Sequence, residues 1–315
     1  MELKSGFEER MKLLLGEDYE KFIKSLEGTP LNSIRVNELK ISPLELKKRL
    51  EEKGWKLSQP VKGHEEIMVI ESTLEPGELG RSFEHLLGYY YIQEISSMLP
   101  VIALNPKPNE RVLDLCASPG SKTTQIASLI KNSGLLIANE VNFGRMKILS
   151  SNLERCGVSN AIITRKDGGV LCARLREEGF LFDKILVDAP CSGEGTLRNN
   201  PKTALMWNAN GIKKMSSVQR RLLYSAVQIL KVGGEIVYST CTYAPEEDEE
   251  IIDFILNEFK GEIELESIKL PIKCRQGISE WQDKEYNKNV QKSCRIFPFE
   301  SNTEGFFIAK MKKIK

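Results

Sequence analysis

The residues that could do chemistry cluster in a few short stretches. Asp188-Ala189-Pro190-Cys191-Ser192-Gly193-Glu194-Gly195 and Ser239-Thr240-Cys241-Thr242-Tyr243 each place a cysteine just past an apolar run. A thiolate is a nucleophile or a metal ligand. The seven cysteines show no CxxC pair and no zinc spacing with the two histidines, so no metal site is expected. A further stretch, Val112-Leu113-Asp114-Leu115-Cys116-Ala117-Ser118-Pro119-Gly120-Ser121-Lys122-Thr123, reads as strand, tight loop and helix. Such a loop aims backbone N–H groups and a helix N-terminus at a ligand. It is not a P-loop, because Ser121 breaks the Gly-Lys pair, and it is not a dinucleotide loop, because only Gly120 of the three glycines is present.

These stretches need a scaffold that brings strand ends to one edge. From residue 111 the chain alternates strands at 111–115, 135–140, 161–164, 183–188 and 234–240 with helices near 121–131, 142–156, 168–178, 211–230 and 246–258. Alternation with short turns predicts a parallel sheet with helices on both faces. Glu262 to Leu270 and Gly305 to Met311 are expected to pair antiparallel at one edge. In such a sheet ligands bind outside the carboxyl ends of the strands. Asp114, Glu140, Asp167 and Asp188 stand at successive strand ends. Any one of them alone reads as a helix cap or solvated turn; four in sequence read as a site. Neighbouring strands lie about 4.8 Å apart, so Cys191 and Cys241 can face one pocket.

Before this region, residues 1 to about 28 carry helical spacing on Phe7, Met11, Leu14, Leu15, Tyr19, Phe22, Ile23 and Leu26. Ser33 to Asn37 predicts a strand, Ser42-Pro43 opens a helix through Leu50, and Trp55 to Leu57 and Ile67 to Ile70 predict strands. The resulting division is a small α+β domain over 1–90, a candidate RNA-binding module with Lys47, Lys48, Arg49, Lys53, Lys56 and Lys62, and a larger domain over 91–315. Tyr89, Tyr90 and Tyr91 are aromatic enough to stack on bases, although an aromatic strand packed in a core is the simpler reading.

The chain has 315 residues, 41% hydrophobic and 28% charged, with a net charge of +1. Any basic groove must therefore be local. No run is long enough to cross a membrane and the start does not read as a signal peptide, so a soluble, cytoplasmic protein is expected. A disulfide framework is not expected, although Cys274 and Cys294 are left open as a pair.

Cys-Ala-Ser-Pro-Gly-Ser-Lys-Thr (Cys116–Thr123) resembles the first motif of S-adenosylmethionine (SAM)-dependent methyltransferases, in the variant of the RNA cytosine-5 methyltransferases. The Tyr-x-x-Gln-Glu-x-Ser-Ser pattern (Tyr90–Ser97), the two cysteine motifs, Arg295-Ile296-Phe297-Pro298 and Gly305-Phe306-Phe307 carry the same resemblance, which covers residues 34–311. It implies a class I SAM-dependent methyltransferase fold, Rossmann-like, with a seven-stranded, mostly parallel sheet. SAM is the implied cofactor, held by Cys116, Ala117, Ser118, Pro119, Gly120, Ser121 and Lys122, with Glu140 on the ribose hydroxyls, Asp167 on the adenine amino group, Asp188 nearby and Arg145 steadying the Glu140 loop.

The resemblance also explains the thiols. Carbon 5 of cytosine has no lone pair with which to attack a methyl group; a thiolate adding to carbon 6 makes carbon 5 nucleophilic. Asp188 is the candidate acid at N3, and Lys122 is expected to position Asp188 or the base. Asp-Ala-Pro-Cys resembles the nucleophile motif of DNA cytosine-5 methyltransferases, favouring Cys191. The presence of Ser-Thr-Cys-Thr resembles the RNA enzymes, in which the cysteine matching Cys241 attacks and the one matching Cys191 assists release. The expected nucleophile is Cys241. The target base must be unpaired or flipped, and Arg198-Asn199-Asn200-Pro201 is a loop that could line the opening. The compact chain looks most like archaeal-type tRNA enzymes, with ribosomal RNA as the alternative substrate and a non-catalytic RNA-binding protein as the rival from another class. A monomer is expected, with an accessory protein left open.

Overall fold

The computed structural model describes residues 3–315. They form two compact units, Leu31–Leu186 and the chain up to Pro30 together with Val187–Lys315.

The chain opens with α1 (Ser5–Leu15) and α2 (Tyr19–Leu26). The apolar spacing predicts one helical segment; the backbone instead breaks at Gly16, which takes φ 53° and starts a short 3-10 turn. Glycine adopts that region at little cost. Phe7, Met11, Leu15, Tyr19 and Phe22 are buried with Leu197, Ala204, Tyr243 and Phe297. This shared core places the N-terminal helices with the C-terminal half of the chain, where the sequence suggests a division near residue 90.

The unit Leu31–Leu186 begins with β1 (Asn32–Val36), α3 (Pro43–Glu52), β2 (Leu57–Ser58), β3 (Ile67–Ile70), α4 (Glu78–Arg81), α5 (Phe83–Leu86) and β4 (Tyr90–Ile92). The four strands form an antiparallel sheet in the order β2-β3-β1-β4. Ser42 Oγ caps α3 by accepting from Glu45 N, with Pro43 in the first turn. Ile34, Val36, Leu46, Leu50, Met68, Ile70 and Tyr90 make its core. Tyr90 and Tyr91 are buried, and Tyr90 Oη donates to Leu79 O at 2.6 Å; they are core residues and not a platform for bases. Part of the basic helix face is committed internally, since Arg49 and Lys53 both pair with the buried carboxylate of Glu84.

The same unit continues with α6 (Ile95–Leu104), β5 (Arg111–Asp114), α7 (Ser121–Leu129), β6 (Leu135–Asn139), α8 (Phe143–Cys156), β7 (Ala161–Thr164), α9 (Gly168–Glu177) and β8 (Phe182–Asp188), whose last two residues belong to the other unit. Strands β8, β5, β6 and β7 lie parallel in that order, and their central residues Val112, Leu113, Leu136, Ala138, Ile185 and Leu186 are buried. Runs apolar on both sides are what a doubly covered parallel sheet requires.

The second unit goes on through α10 (Lys202–Met206), α11 (Ala209–Gln228), β9 (Leu230–Thr240), α12 (Glu249–Glu258), β10 (Ile263–Glu266), β11 (Arg275–Gln276), the hairpin β12 (Glu280–Trp281) and β13 (Lys284–Glu285), β14 (Cys294–Ile296), α13 (Pro298–Ser301) and β15 (Phe306–Lys313). The expected antiparallel edge is present: β15 pairs β10, β9 and β14. β11 and β14 are short additional strands that the sequence does not announce. α12 starts later than its apolar pattern suggests, because Asp248 turns its carboxylate to Thr240 Oγ1 at 2.5 Å instead of entering the helix. Among the described residues no helix is long and apolar enough to cross a membrane.

Candidate active site and cofactor cradle

The two motif cysteines meet. Cys191 follows the end of β8, Cys241 follows the end of β9, and their sulfurs lie 3.2 Å apart with both thiols reduced. Backbone hydrogen bonds set this distance: Ala189 N donates to Ser239 O at 2.9 Å and Gly195 N to Cys241 O at 2.9 Å. Gly195 has no room for a side chain; an added Cβ would sit 2.2 Å from Gly305 O and 3.0 Å from Cys241 O. Asp188 is half-buried and accepts from Ser239 Oγ at 2.7 Å. The hydrogen bond with the Cys241 sulfur, together with burial, pushes the Cys191 thiol well above the ordinary thiol value. A protonated Cys191 at this distance can donate towards the Cys241 sulfur.

Buried carboxylates surround the pair. Glu194 accepts from Trp207 Nε1 at 2.6 Å, Thr242 Oγ1 at 3.1 Å and Tyr243 N at 3.2 Å. Burial raises its pKa. Arg198, in the loop expected near the opening for a base, donates to Gly28 O, Thr29 O and Asn302 Oδ1. Cys274 and Cys294 are free thiols with sulfurs 3.2 Å apart. Among the described residues no group of histidine, cysteine and carboxylate side chains could hold a metal ion.

The loop Cys116–Gly120 and the start of α7 form the second construction, within Leu31–Leu186. Gly120 takes φ 107°, and an added Cβ would come within 3.1 Å of Leu149 Cδ1. Thr123 Oγ1 donates to Asp114 Oδ2 at 2.7 Å. Arg145 lies between the Cys116–Gly120 loop and Glu140: Nη2 donates to Ser118 O at 2.7 Å, Ser118 Oγ donates to Arg145 O at 2.9 Å, and Nε lies 3.5 Å from Glu140 Oε2. Glu140 is 5% exposed, and its Oε1 accepts from Asn142 N at 2.8 Å. A carboxylate has about four acceptor positions, so Glu140 keeps capacity for a pair of ribose hydroxyls. Asp167 Oδ1 is used locally as the cap of α9, accepting from Gly169 N and Val170 N. Lys122 is buried and donates to Ser97 Oγ at 2.8 Å. A tight turn at Gly120, a helix N-terminus and a strand-end carboxylate suit the nucleoside of SAM.

Two supporting residues escape a motif reading. Arg35 in β1 is buried and donates to Ser121 O and Thr124 Oγ1, each at 2.7 Å, and to Gln93 Oε1, tying the antiparallel sheet to the start of α7. Burial lowers its pKa to about 10. The available signal was an arginine between Ile34 and Val36 in an apolar strand. Asn139, beside Glu140, binds Leu115 O and Lys166 O through its amide and accepts from Thr164 Oγ1 and Lys166 N. A buried amide at a strand end signals such a clamp.

Residues 101–312 match the family model described as 16S rRNA methyltransferase RsmB/F, and residues 3–95 match the N-terminal domain of 16S rRNA methyltransferase RsmF. The chain is 41% identical over 297 residues to a tRNA (cytosine(49)-C(5))-methyltransferase of Pyrococcus abyssi, covering 94% of this chain and 93% of that one. It is also 41% identical over 297 residues to the ribosomal RNA small subunit methyltransferase F of Vibrio campbellii, covering 94% of this chain; it spans 59% of that relative's length. A crystal structure of a methyltransferase homolog protein from Pyrococcus horikoshii superposes with a TM-score of 0.85 at 35% identity, covering 98% of this chain and 95% of that one. The fold is that of the class I SAM-dependent methyltransferases. The chain belongs to the RsmB/F (NOL1/NOP2/Sun) family of SAM-dependent RNA cytosine-5 methyltransferases.

Proposed function

We propose that this protein methylates carbon 5 of cytosine in tRNA through a covalent adduct between Cys241 and carbon 6 of the base. The observation that carries the reading is the 3.2 Å approach of the Cys191 and Cys241 sulfurs. One thiol suffices for a nucleophile; a second thiol at that distance, held protonated, suits the step that frees it.

Cys241 adds as thiolate to carbon 6, and the electron pair of the 5,6 double bond moves to carbon 5. Asp188, held by Ser239 Oγ at 2.7 Å, hydrogen-bonds N3 and the exocyclic amine, supplying the proton that neutralises the ring. SAM supplies the electrophilic methyl group that carbon 5 receives, and Cys116 to Lys122 with Glu140, Arg145, Asp167 and Asp188 are assigned to holding it. Lys122 also serves as a positioning cation. N3 returns its proton to Asp188, a base takes the carbon 5 proton, the double bond reforms, and the bond from carbon 6 to sulfur breaks. Cys191 donates its hydrogen bond to the departing Cys241 thiolate.

The Pyrococcus abyssi relative supports tRNA as substrate. The family description and the Vibrio relative support ribosomal RNA as the second reading. Transfer of labelled methyl from SAM to unmodified tRNA and, separately, to small-subunit ribosomal RNA, followed by nucleoside analysis, separates them. Label in 5-methylcytidine of tRNA, lost in Cys241→Ala, is the expected result. Label confined to ribosomal RNA overturns the substrate, and undiminished transfer by Cys241→Ala overturns the nucleophile.

A further inference from the structure

The turn that carries Cys191 is tied to a carboxyl the mechanism above does not use. Glu247 is fully buried. Its Oε2 accepts from Ser192 N at 3.0 Å and from Gln219 Nε2 at 2.8 Å. The same Gln219 nitrogen donates to Pro190 O at 2.8 Å. The residues on both sides of Cys191 are thus held by one pair of side chains, one from α11 and one from the segment after Cys241. Glu247 is itself anchored: Tyr238 Oη donates to Glu247 O at 2.6 Å, and Glu247 N donates to Ala244 O at 2.9 Å. A second tie runs beside it, between the Ser192 and Thr242 hydroxyls, 2.7 Å apart. Burying a carboxyl is costly unless it is hydrogen-bonded, and the two bonds to Oε2 offset part of that cost.

We propose that Glu247 is a positioning residue for Cys191: through Ser192 N–H and Gln219 it fixes the turn that holds the Cys191 thiol against Cys241. This rests on Cys191 acting in release. Loss of the tie frees the Pro190–Ser192 backbone, the two sulfurs separate, and release of the Cys241 adduct slows while its formation continues. A misplacement of about 1 Å in such a group costs on the order of a hundredfold.

The test uses full-length protein with Glu247→Leu, which fills the space without an acceptor, Glu247→Gln, which keeps an acceptor for Ser192 N–H, and Gln219→Leu, which cuts the same tie from α11 should Glu247→Leu fail to fold. Two quantities are read. One is the amount of enzyme–RNA adduct that survives denaturing electrophoresis during turnover. The other is the rate at which iodoacetamide alkylates Cys191 in a Cys241→Ser background, followed by peptide mass analysis, which needs neither RNA nor SAM. Folded Glu247→Leu or Gln219→Leu is expected to accumulate adduct at least about tenfold over the parent and to change Cys191 alkylation several-fold, with Glu247→Gln near the parent in both. Unchanged alkylation in folded leucine variants overturns the proposal. Cys191→Ala runs beside them: if it accumulates no adduct while the leucine variants still change alkylation, the release role of Cys191 falls and the positioning by Glu247 stands.

Discussion

The Cys191 sulfur lies 3.2 Å from the Cys241 sulfur, although fifty residues separate them in sequence. A disulfide needs sulfurs about 2.05 Å apart, so a small approach would join them. A thiol oxidant such as diamide is expected to close this pair and stop methyl transfer, and dithiothreitol to restore it. Non-reduced peptide mapping identifies the bridge. Inactivation of Cys191→Ala by diamide at the parental rate counts against the pair as the target.

Glu140 is the expected ribose acceptor. Glu140→Ala removes charge-assisted hydrogen bonds worth roughly 1.5–3 kcal/mol each, which predicts a SAM dissociation constant raised by about tenfold or more. Calorimetric titration with SAM measures it. Arg145→Ala, which loosens the Ser118 and Glu140 side of the loop, should weaken SAM in the same direction but less.

Arg295 is a structural centre of the C-terminal half. Its guanidinium pairs with Glu249, lies 3.6 Å from Asp248 and donates to Tyr243 O at 3.0 Å, with all three side chains of this ion group buried. Removing it leaves buried carboxylates uncompensated, at a cost of about 3–5 kcal/mol. Arg295→Ala is expected to lower the melting temperature by many degrees. Arg295→Lys should recover little, since a single ammonium cannot fork between Glu249 and Tyr243 O. A lysine variant with parental stability would show that the charge alone suffices.

Burial pushes the Glu247 carboxyl up to about 7, against about 4.3 for an unfolded glutamate. Between those values the unfolded chain has released this proton and the folded protein has not, so stability falls with rising pH by about 1.4 kcal/mol per unit from this group. The penalty is absent below the unfolded value and complete above the folded one. Glu247→Gln has no such proton to lose. Denaturant melts at about pH 5 and pH 8 should show a smaller loss in the variant than in the parent. Equal losses would contradict the raised value.

The chain's own residues determined the strand and helix order from 111 onward, the glycine loop at Cys116–Lys122, the carboxylates at strand ends and the two cysteine motifs. Each is a local pattern, set by periodicity or by a turn that only certain residues form. The approach of Arg145 to Glu140 was legible because Arg145 lies in the first turn of the helix that follows Glu140. Tertiary structure decided what depends on residues distant in sequence. It set the 3.2 Å between the sulfurs, the Arg35 tie to the cofactor loop, the capture of Arg198 by Gly28 and Thr29, and the use of Asp167 as a cap. It also joined Phe7 and Phe22 to Tyr243 and Phe297 in one core, and enclosed Glu247 beside Gln219. Burial is a property of everything packed around a group, so neither the raised pKa of Glu247 nor that of Cys191 has any signature in the order of residues alone.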